Sequence, residues 1–489
     1  MTPKDQTDLC HLSATDALAM FNARTLSPVE LLQAQIQRTE HTEDTINAFS
    51  QTFFDAAMDA ARASEKRYAK GAPVGALDGL TLAAKAENSI KGLPGEYGSL
   101  VHKGKISIQT DTIIERCLIE NAIIHAQTTT PEFSCVGVCH SKLWGVTRNP
   151  WNPDFSPGGS SGGSGASLAI GSASLATGSD IAGSIRIPAS ACGVVGFKPP
   201  YGRVPQSTPF NYDSFCHNGP MARSIADCIL LQNVLAGPSS RDITSLKPKL
   251  TLPAQPSPVK GMSIAYSPDL GYFDIDPEVR RNTENALDIL RDAGAEVHEV
   301  ALGWTEDTLT AAMDYLGHFF GNSIAQFLDT HPDDITGYAR AFAEFSRKTT
   351  AKANFRALSL AGEMYERLAE IHRTHDALIC PTLAVPSVPA DFDWTIDPRI
   401  NDILSSTDPM MVSWCLTYPF NMLSRCPVLQ VPSGRAANGV PTGVQIIGRT
   451  YEDADVFRIG AAIEQAQNWY ATSDMRPDPS SWTKTGDSE

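Results

Sequence analysis

The chain has 489 residues, 42% hydrophobic and 19% charged, and its 39 Lys and Arg stand against 55 Asp and Glu for a formal charge of −16. That balance argues against nucleic-acid binding, which needs a basic face, and no run of about 18 apolar residues offers a membrane span. Met1 to Cys10 has early acids and no apolar h-region, so no secretory signal is visible and the cytoplasm is the expected location.

In chain order, the first fifty residues read as helices. Ser27-Pro28-Val29-Glu30 is a capping box with Pro at the first helical position, followed by Leu31, Leu32 and Ile36 on one face. Leu80 to Lys85 alternates as a strand and ends in a lysine. Residues 111–139 read as helix, strand and loop. The Gly/Ser tract Gly158 to Gly165 runs into a helical stretch near 164–171, then a short strand, Ser174 to Thr177, and a second small-residue turn, Gly178 to Ser184. Pro238 to Pro258 reads as a surface connection. Met262 to Tyr266, a helix from Asp276-Pro277 to Gly294, and Glu296 to Val300 form a β-α-β unit. Helices fill 305–375, and strands return at Ala377–Ile379, Val428–Val431 and Gly443–Ile447. The last twenty residues are polar and predict a frayed tail. Interleaved strands and helices indicate an α/β layered fold.

The ten cysteines are scattered through apolar stretches, a pattern of buried free thiols. Cys135, Cys139 and His140 lack a second ligand pair at zinc spacing, and His372 and His375 lack a third ligand, so the first group predicts no metal and the two histidines read as solvated. Gly158 to Gly163 contains G-x-S-x-G, but a nucleophile elbow needs a strand directly before the serine, and the proline-rich Asn149 to Pro157 stands there instead. No G-x-x-x-x-G-K-[ST] follows for phosphate. What remains is two loops of small residues where backbone amides approach a substrate, carrying serines at 160, 161, 164, 179 and 184. Serine needs an adjacent base. No histidine is near either loop in sequence, whereas Lys85, desolvated at the end of an apolar strand, is a candidate.

Pro157 to Ser164, Gly178 to Pro188, Cys192 to Pro199 and Tyr201-Gly202-Arg203 together resemble the amidase signature family. Thr130 to Phe133, Thr147 to Trp151, Pro427 to Pro432 and Gly443 to Gly448 match further family elements in family order, so the resemblance covers roughly residues 10–465. It implies an α/β/α fold with a mixed, twisted central sheet, and one domain over 1–470 (N-terminal helices 1–60, signature core 75–235, second part 260–470) before a polar tail at 471–489. It also implies a Ser-cisSer-Lys triad: Ser184 the nucleophile, Ser160 the bridging serine after a cis peptide bond, Lys85 the base. The backbone amides of Ile181, Ala182, Gly183 and Ser184 are the implied oxyanion hole, with Asp180 and Arg186 a structural pair holding the loop. Ser161 and Ser164 read as loop and helix-start residues. The expected reaction is hydrolysis of a small-molecule amide by water, with no cofactor, no metal, no nucleic acid and no membrane; a homodimer is compatible with it. The runner-up within the family is the glutaminase subunit of a tRNA-dependent amidotransferase, and the same chemistry extends to esters, carbamates and anilides. An inactive binding module is the alternative outside enzymes, opposed by the intact Lys85, Ser160 and Ser184. The family's Asp after the lysine is Ala86 here, a family Gly is Ala182, and Ser424-Arg425-Cys426-Pro427 replaces a common Gly before x-Pro. Arg425 reads as a structural or surface residue, the alternative being contact with an acidic or carbonyl-bearing substrate if it faces the cleft. Phe133, Tyr315, Phe319, Phe320 and Trp414 are pocket or core candidates.

Overall fold

Two helices open the fold, α1 (Ala14–Ala23) and α2 (Pro28–Ile46). The expected capping box is formed: the Glu30 N–H donates to Ser27 Oγ (3.2 Å), and the Ser27 N–H donates to Glu30 Oε2 (2.8 Å). The computed structural model describes residues 8–397, 399–400, 404–405 and 412–482. What the sequence predicts for residues 1–7 and 483–489 lies outside these.

The strands of the main sheet are β1 (Phe49–Thr52), β2 (Thr81–Lys85), β3 (Ile123–Thr128), β4 (Leu175–Asp180), β5 (Val195–Lys198), β6 (His217–Ala222), β7 (Ser263–Tyr266), β8 (Glu296–Glu299), β9 (Ala377–Pro381), β10 (Val428–Arg435) and β11 (Pro441–Gly448). They join in one 11-stranded sheet in the order β1-β3-β2-β4-β6-β5-β10-β11-β9-β7-β8. The sheet is mixed: β2 lies parallel to β3 and β4, β9 and β8 parallel to β7, and β4, β6, β5, β10, β11 and β9 alternate antiparallel. The chain is thus an α/β protein with a large mixed sheet covered by helices, as expected.

The principal helices after α2 are α3 (Phe54–Ala69), α4 (Thr112–Ile119), α5 (Gly162–Ile170), α6 (Arg186–Cys192), α7 (Ile225–Leu235), α8 (Pro277–Asp292), α9 (Asp307–Leu316), α10 (Gly337–Ser346), α11 (Ala351–His372) and α12 (Asp453–Gln467). Successive strand residues point to opposite faces, and the core follows that rule. Val428 and Ile447 face one apolar layer with Tyr338, Phe342 and Trp414, while Leu429 and Ile446 face the other with Leu82, Val195 and Phe457.

Two regions depart from the sequence reading. β4 extends three residues beyond Thr177 into the tract expected as a turn, because Gly178, Ser179 and Asp180 pair with Gly219, Asn218 and His217 of β6. Residues after 470, expected as a frayed tail, are held as far as Trp482. There Arg476 Nε donates to Tyr470 O (2.8 Å), Arg476 Nη1 to Asp8 Oδ1 (2.5 Å), and Trp482 Nε1 to Pro150 O (3.1 Å).

Candidate active site

Parallel pairing of β2 with β4 brings Lys85, at the end of one strand, beside Ser179 and Asp180, at the end of the other. The loop Gly158–Ser161 crosses these strand ends and enters α5, with a cis bond between Gly159 and Ser160. A side chain at Gly159 would stand 2.0 Å from the Val138 carbonyl oxygen, so only glycine lets this loop lie so close to its neighbour.

Lys85 is fully buried. Its Nζ donates to Ser160 Oγ (2.8 Å) and Ser179 Oγ (2.7 Å), and makes an ion pair with Glu87 Oε2 (3.0 Å). Ser179 Oγ in turn donates to the same Glu87 oxygen (3.0 Å). The amine therefore sits among hydroxyls and a carboxylate, not in the apolar surroundings its strand suggested. Burial opposes ionisation of Glu87, but the Lys85 amine and the Lys85 and Ser179 hydrogen bonds hold its carboxyl below the usual range. Glu87 escaped the sequence reading because β2 ends at Lys85, and it is a turn, closed by the Asn88 N–H on Lys85 O (2.7 Å), that sets Glu87 beside the amine.

Ser184 sits in the turn before α6, 6% exposed, and shares one cavity wall with Ser160. That cavity, of about 250 Å³, is also lined by Glu87, Asp111, Tyr97 and Phe133. The four amides expected to form an oxyanion hole divide. The Gly183 N–H is already engaged, donating to Asp180 Oδ1 (2.8 Å), whereas those of Ile181, Ala182 and Ser184 have no acceptor among the described residues. Gly183 has φ +127°, and a Cβ there would meet Thr417 Oγ1 at 2.0 Å. That hydroxyl donates to Ala182 O (2.6 Å) and so pins the turn.

Asp180 and Arg186 form a fully buried bidentate pair, Nε to Oδ2 and Nη2 to Oδ1, both 2.9 Å. Arg186 spends its other N–H groups on Thr417 O (3.0 Å), Gln445 Oε1 (2.8 Å) and Asn421 Oδ1 (2.7 Å). Burial works against the Asp180 charge, but the guanidinium and Asn421 keep its carboxyl well below the usual carboxylate range.

Of the remaining candidates, Ser161 is the N-cap residue of α5 and Ser164 Oγ donates to Thr177 O (2.9 Å). Phe133 and Phe320 line the cavity. Trp414 is core, Tyr315 stacks on Phe215, Phe319 meets Phe210 edge-on, and Arg425 lies over the Tyr201 ring (5.6 Å). All ten cysteines are buried. Among the described residues no group of three or more His, Cys, Asp and Glu is placed to hold a metal. His372, expected in solvent, is half-buried, and burial pushes its imidazole down to about 4. No described helix is long and apolar enough to cross a membrane.

The Amidase family model matches residues 30–457. The chain belongs to the amidase family. Its relatives include an acylamidase of Rhodococcus erythropolis, 32% identical over 95% of this chain and 97% of that protein. A glutamyl-tRNA(Gln) amidotransferase subunit of Chloroflexus aurantiacus is also 32% identical, over 95% of this chain and 98% of its own length. Among solved structures, a bacterial aryl acylamidase of the amidase signature family superposes with a TM-score of 0.85 at 29% identity, over 93% of this amidase and 96% of that chain. Membership of this family makes the chain a hydrolase of amide C–N bonds.

Proposed function

We propose that this amidase cleaves its amide through an acyl-enzyme on Ser184. The observation that carries the reading is the 2.8 Å contact of Lys85 Nζ with Ser160 Oγ, in a cavity wall that also presents Ser184. Neutral Lys85 takes the Ser160 proton while Ser160 takes that of Ser184, and Ser184 Oγ attacks the carbonyl carbon. The oxyanion is received by the Ile181, Ala182 and Ser184 amides, each critical donor being worth about 3–4 kcal/mol. Collapse breaks the C–N bond, the same relay returns a proton to the leaving amine, and water repeats the sequence to release the acid. Asp180 and Arg186 hold the loop and take no part in proton transfer. The partners are a small-molecule amide and water, and the chain works as one unit in the cytoplasm without metal or cofactor.

A sulfonyl fluoride or organophosphorus probe, read by peptide mass spectrometry, should add to Ser184. Labelling that persists in Ser184→Ala overturns the assignment. The equal identity to the amidotransferase relative supports a second reading, a glutaminase that passes ammonia to a partner. A panel of aliphatic amides, anilides, carbamates, esters and glutamine decides between them, and glutamine turnover exceeding all others selects the second.

A further inference from the structure

The cavity around Ser184 carries two carboxylates of unequal standing. Glu87 is matched by Lys85. Asp111, at the start of α4, is held by neutral groups: Ser207 Oγ donates to Oδ1 (2.6 Å) and the Ser89 N–H to Oδ2 (2.9 Å). A carboxylate offers about four lone-pair sites, so two such bonds leave acceptor capacity unused. Arg241, whose charge reaches this carboxylate, spends its hydrogen bonds on other groups. Arg241 donates to Thr110 O (3.1 Å) and pairs with Glu115, and Lys105 lies 5.7 Å from the Tyr97 ring centre. Among the described residues lining the cavity there is no Lys, Arg or His. Burial pushes the Asp111 carboxyl up and the Glu87 charge adds to this, against the pull of the Ser207 and Ser89 hydrogen bonds and Arg241. Among the neutral Ser, Thr, Asn and Gln side chains of the wall stand four aromatic rings, Tyr97, Phe133, Phe210 and Phe320. Ring faces attract cations, most strongly where water is excluded.

Resting on the amide-hydrolase reading, we propose that the preferred substrates are amides bearing a cationic nitrogen remote from the scissile bond, seated against Asp111 and the aromatic rings. A carboxylate-bearing amide meets like charge there and is disfavoured, while a neutral amide gains only the apolar contact.

The test compares kcat/KM of the full chain for amides ending in trimethylammonium or in its neutral isostere tert-butyl. A three-methylene spacer sets the group on the acyl side in one series and on the amine side in another. The cationic member should lead by about tenfold in at least one series, a modest figure for one unit charge at intermediate dielectric. The carboxylate-terminated analogue should fall below both. Asp111→Asn, its fold checked by circular dichroism, should bring the cationic-to-neutral ratio within about twofold of one, because only the charge is removed. Choline should slow probe labelling of Ser184 where its isostere 3,3-dimethylbutan-1-ol does not, which reads the same preference without turnover. A ratio at or below one in both series, equal protection by the two alcohols, or a ratio unchanged in Asp111→Asn overturns the proposal while leaving amide hydrolysis standing. No turnover of any amide, together with no labelling of Ser184, overturns the reading beneath it.

Discussion

Two buried cation–carboxylate pairs flank Ser184, and they are built differently. Arg186 and Asp180 are both wholly buried, joined at two points, and tied to Thr417, Asn421 and Gln445 from the far end of the chain. Lys85 and Glu87 meet at one point, share Ser160 and Ser179 hydroxyls, and leave the carboxylate side chain 26% exposed toward the cavity. A guanidinium keeps its charge and its planar fork fixes geometry, while an amine among hydroxyls has partners that accept and return protons. The contrast separates a pair locked around the turn from one that the proposed mechanism uses to move protons.

The largest expected effect comes from the pair with hydroxyls. Lys85→Arg puts a permanently charged guanidinium where the proposed relay needs a neutral base, and should lower kcat by about a thousandfold or more with the circular dichroism spectrum unchanged. A rate near wild type would erase the distinction between the pairs. Next, Arg186→Met strands the Asp180 carboxylate in the interior and should destabilise the fold by about 3–5 kcal/mol in urea titration. Adding Asp180→Asn should recover part of that loss. Third, Glu87→Gln leaves the fold in place and should reduce kcat by about tenfold, with Glu87→Asp restoring some of it, as expected for a residue that positions a proton-transfer group. KM for neutral amides is the control that separates this effect from lost binding.

The smallest effect concerns His217, whose two ring nitrogens lie 3.2 Å from Asp180 O and Ser424 O. Burial, with Lys198 adding to it, pushes this imidazole down to about 3. Its folded value lies below the ordinary one of about 6.5, so the unfolded chain takes up the proton first. The stability it supplies is complete above about pH 6.5 and is lost as pH falls toward 3. His217→Gln should therefore flatten the decline in stability between pH 6.5 and 5 by about 1–2 kcal/mol, read from urea midpoints.

Much of the fold was legible. The capping box at Ser27, the β-α-β unit of β7, α8 and β8, and the strands β2, β9, β10 and β11 all follow from local pattern. β6 was not, because His-Asn-Gly-Pro-Met-Ala is rich in residues that strands avoid, and its pairing with β4 and β5 overrides that preference. At the site, Ser160 and Ser184 were readable through the motif tracts, and Lys85 from its place at the end of a strand. Glu87 was not, because it is brought to the amine by the turn after β2 and not by strand alternation. Asn421 and Gln445 were not, since they reach Arg186 across 235 and 259 residues and nothing near them in sequence marks the contact.

The strand order has a consequence for how the protein is made. β10 and β11, from residues 428–448, lie in the middle of the sheet, between β5 from the first half of the chain and β9 from the second. A ribosome delivers these central strands last. Until they emerge, β5 and β9 each present an unpaired edge, and the Arg186 guanidinium waits without Asn421 or Gln445. Pairings so distant in sequence form slowly, and exposed edges invite association with other chains. Closure of the sheet thus waits for residues 428–448, and the nascent polypeptide is most vulnerable to aggregation until they emerge.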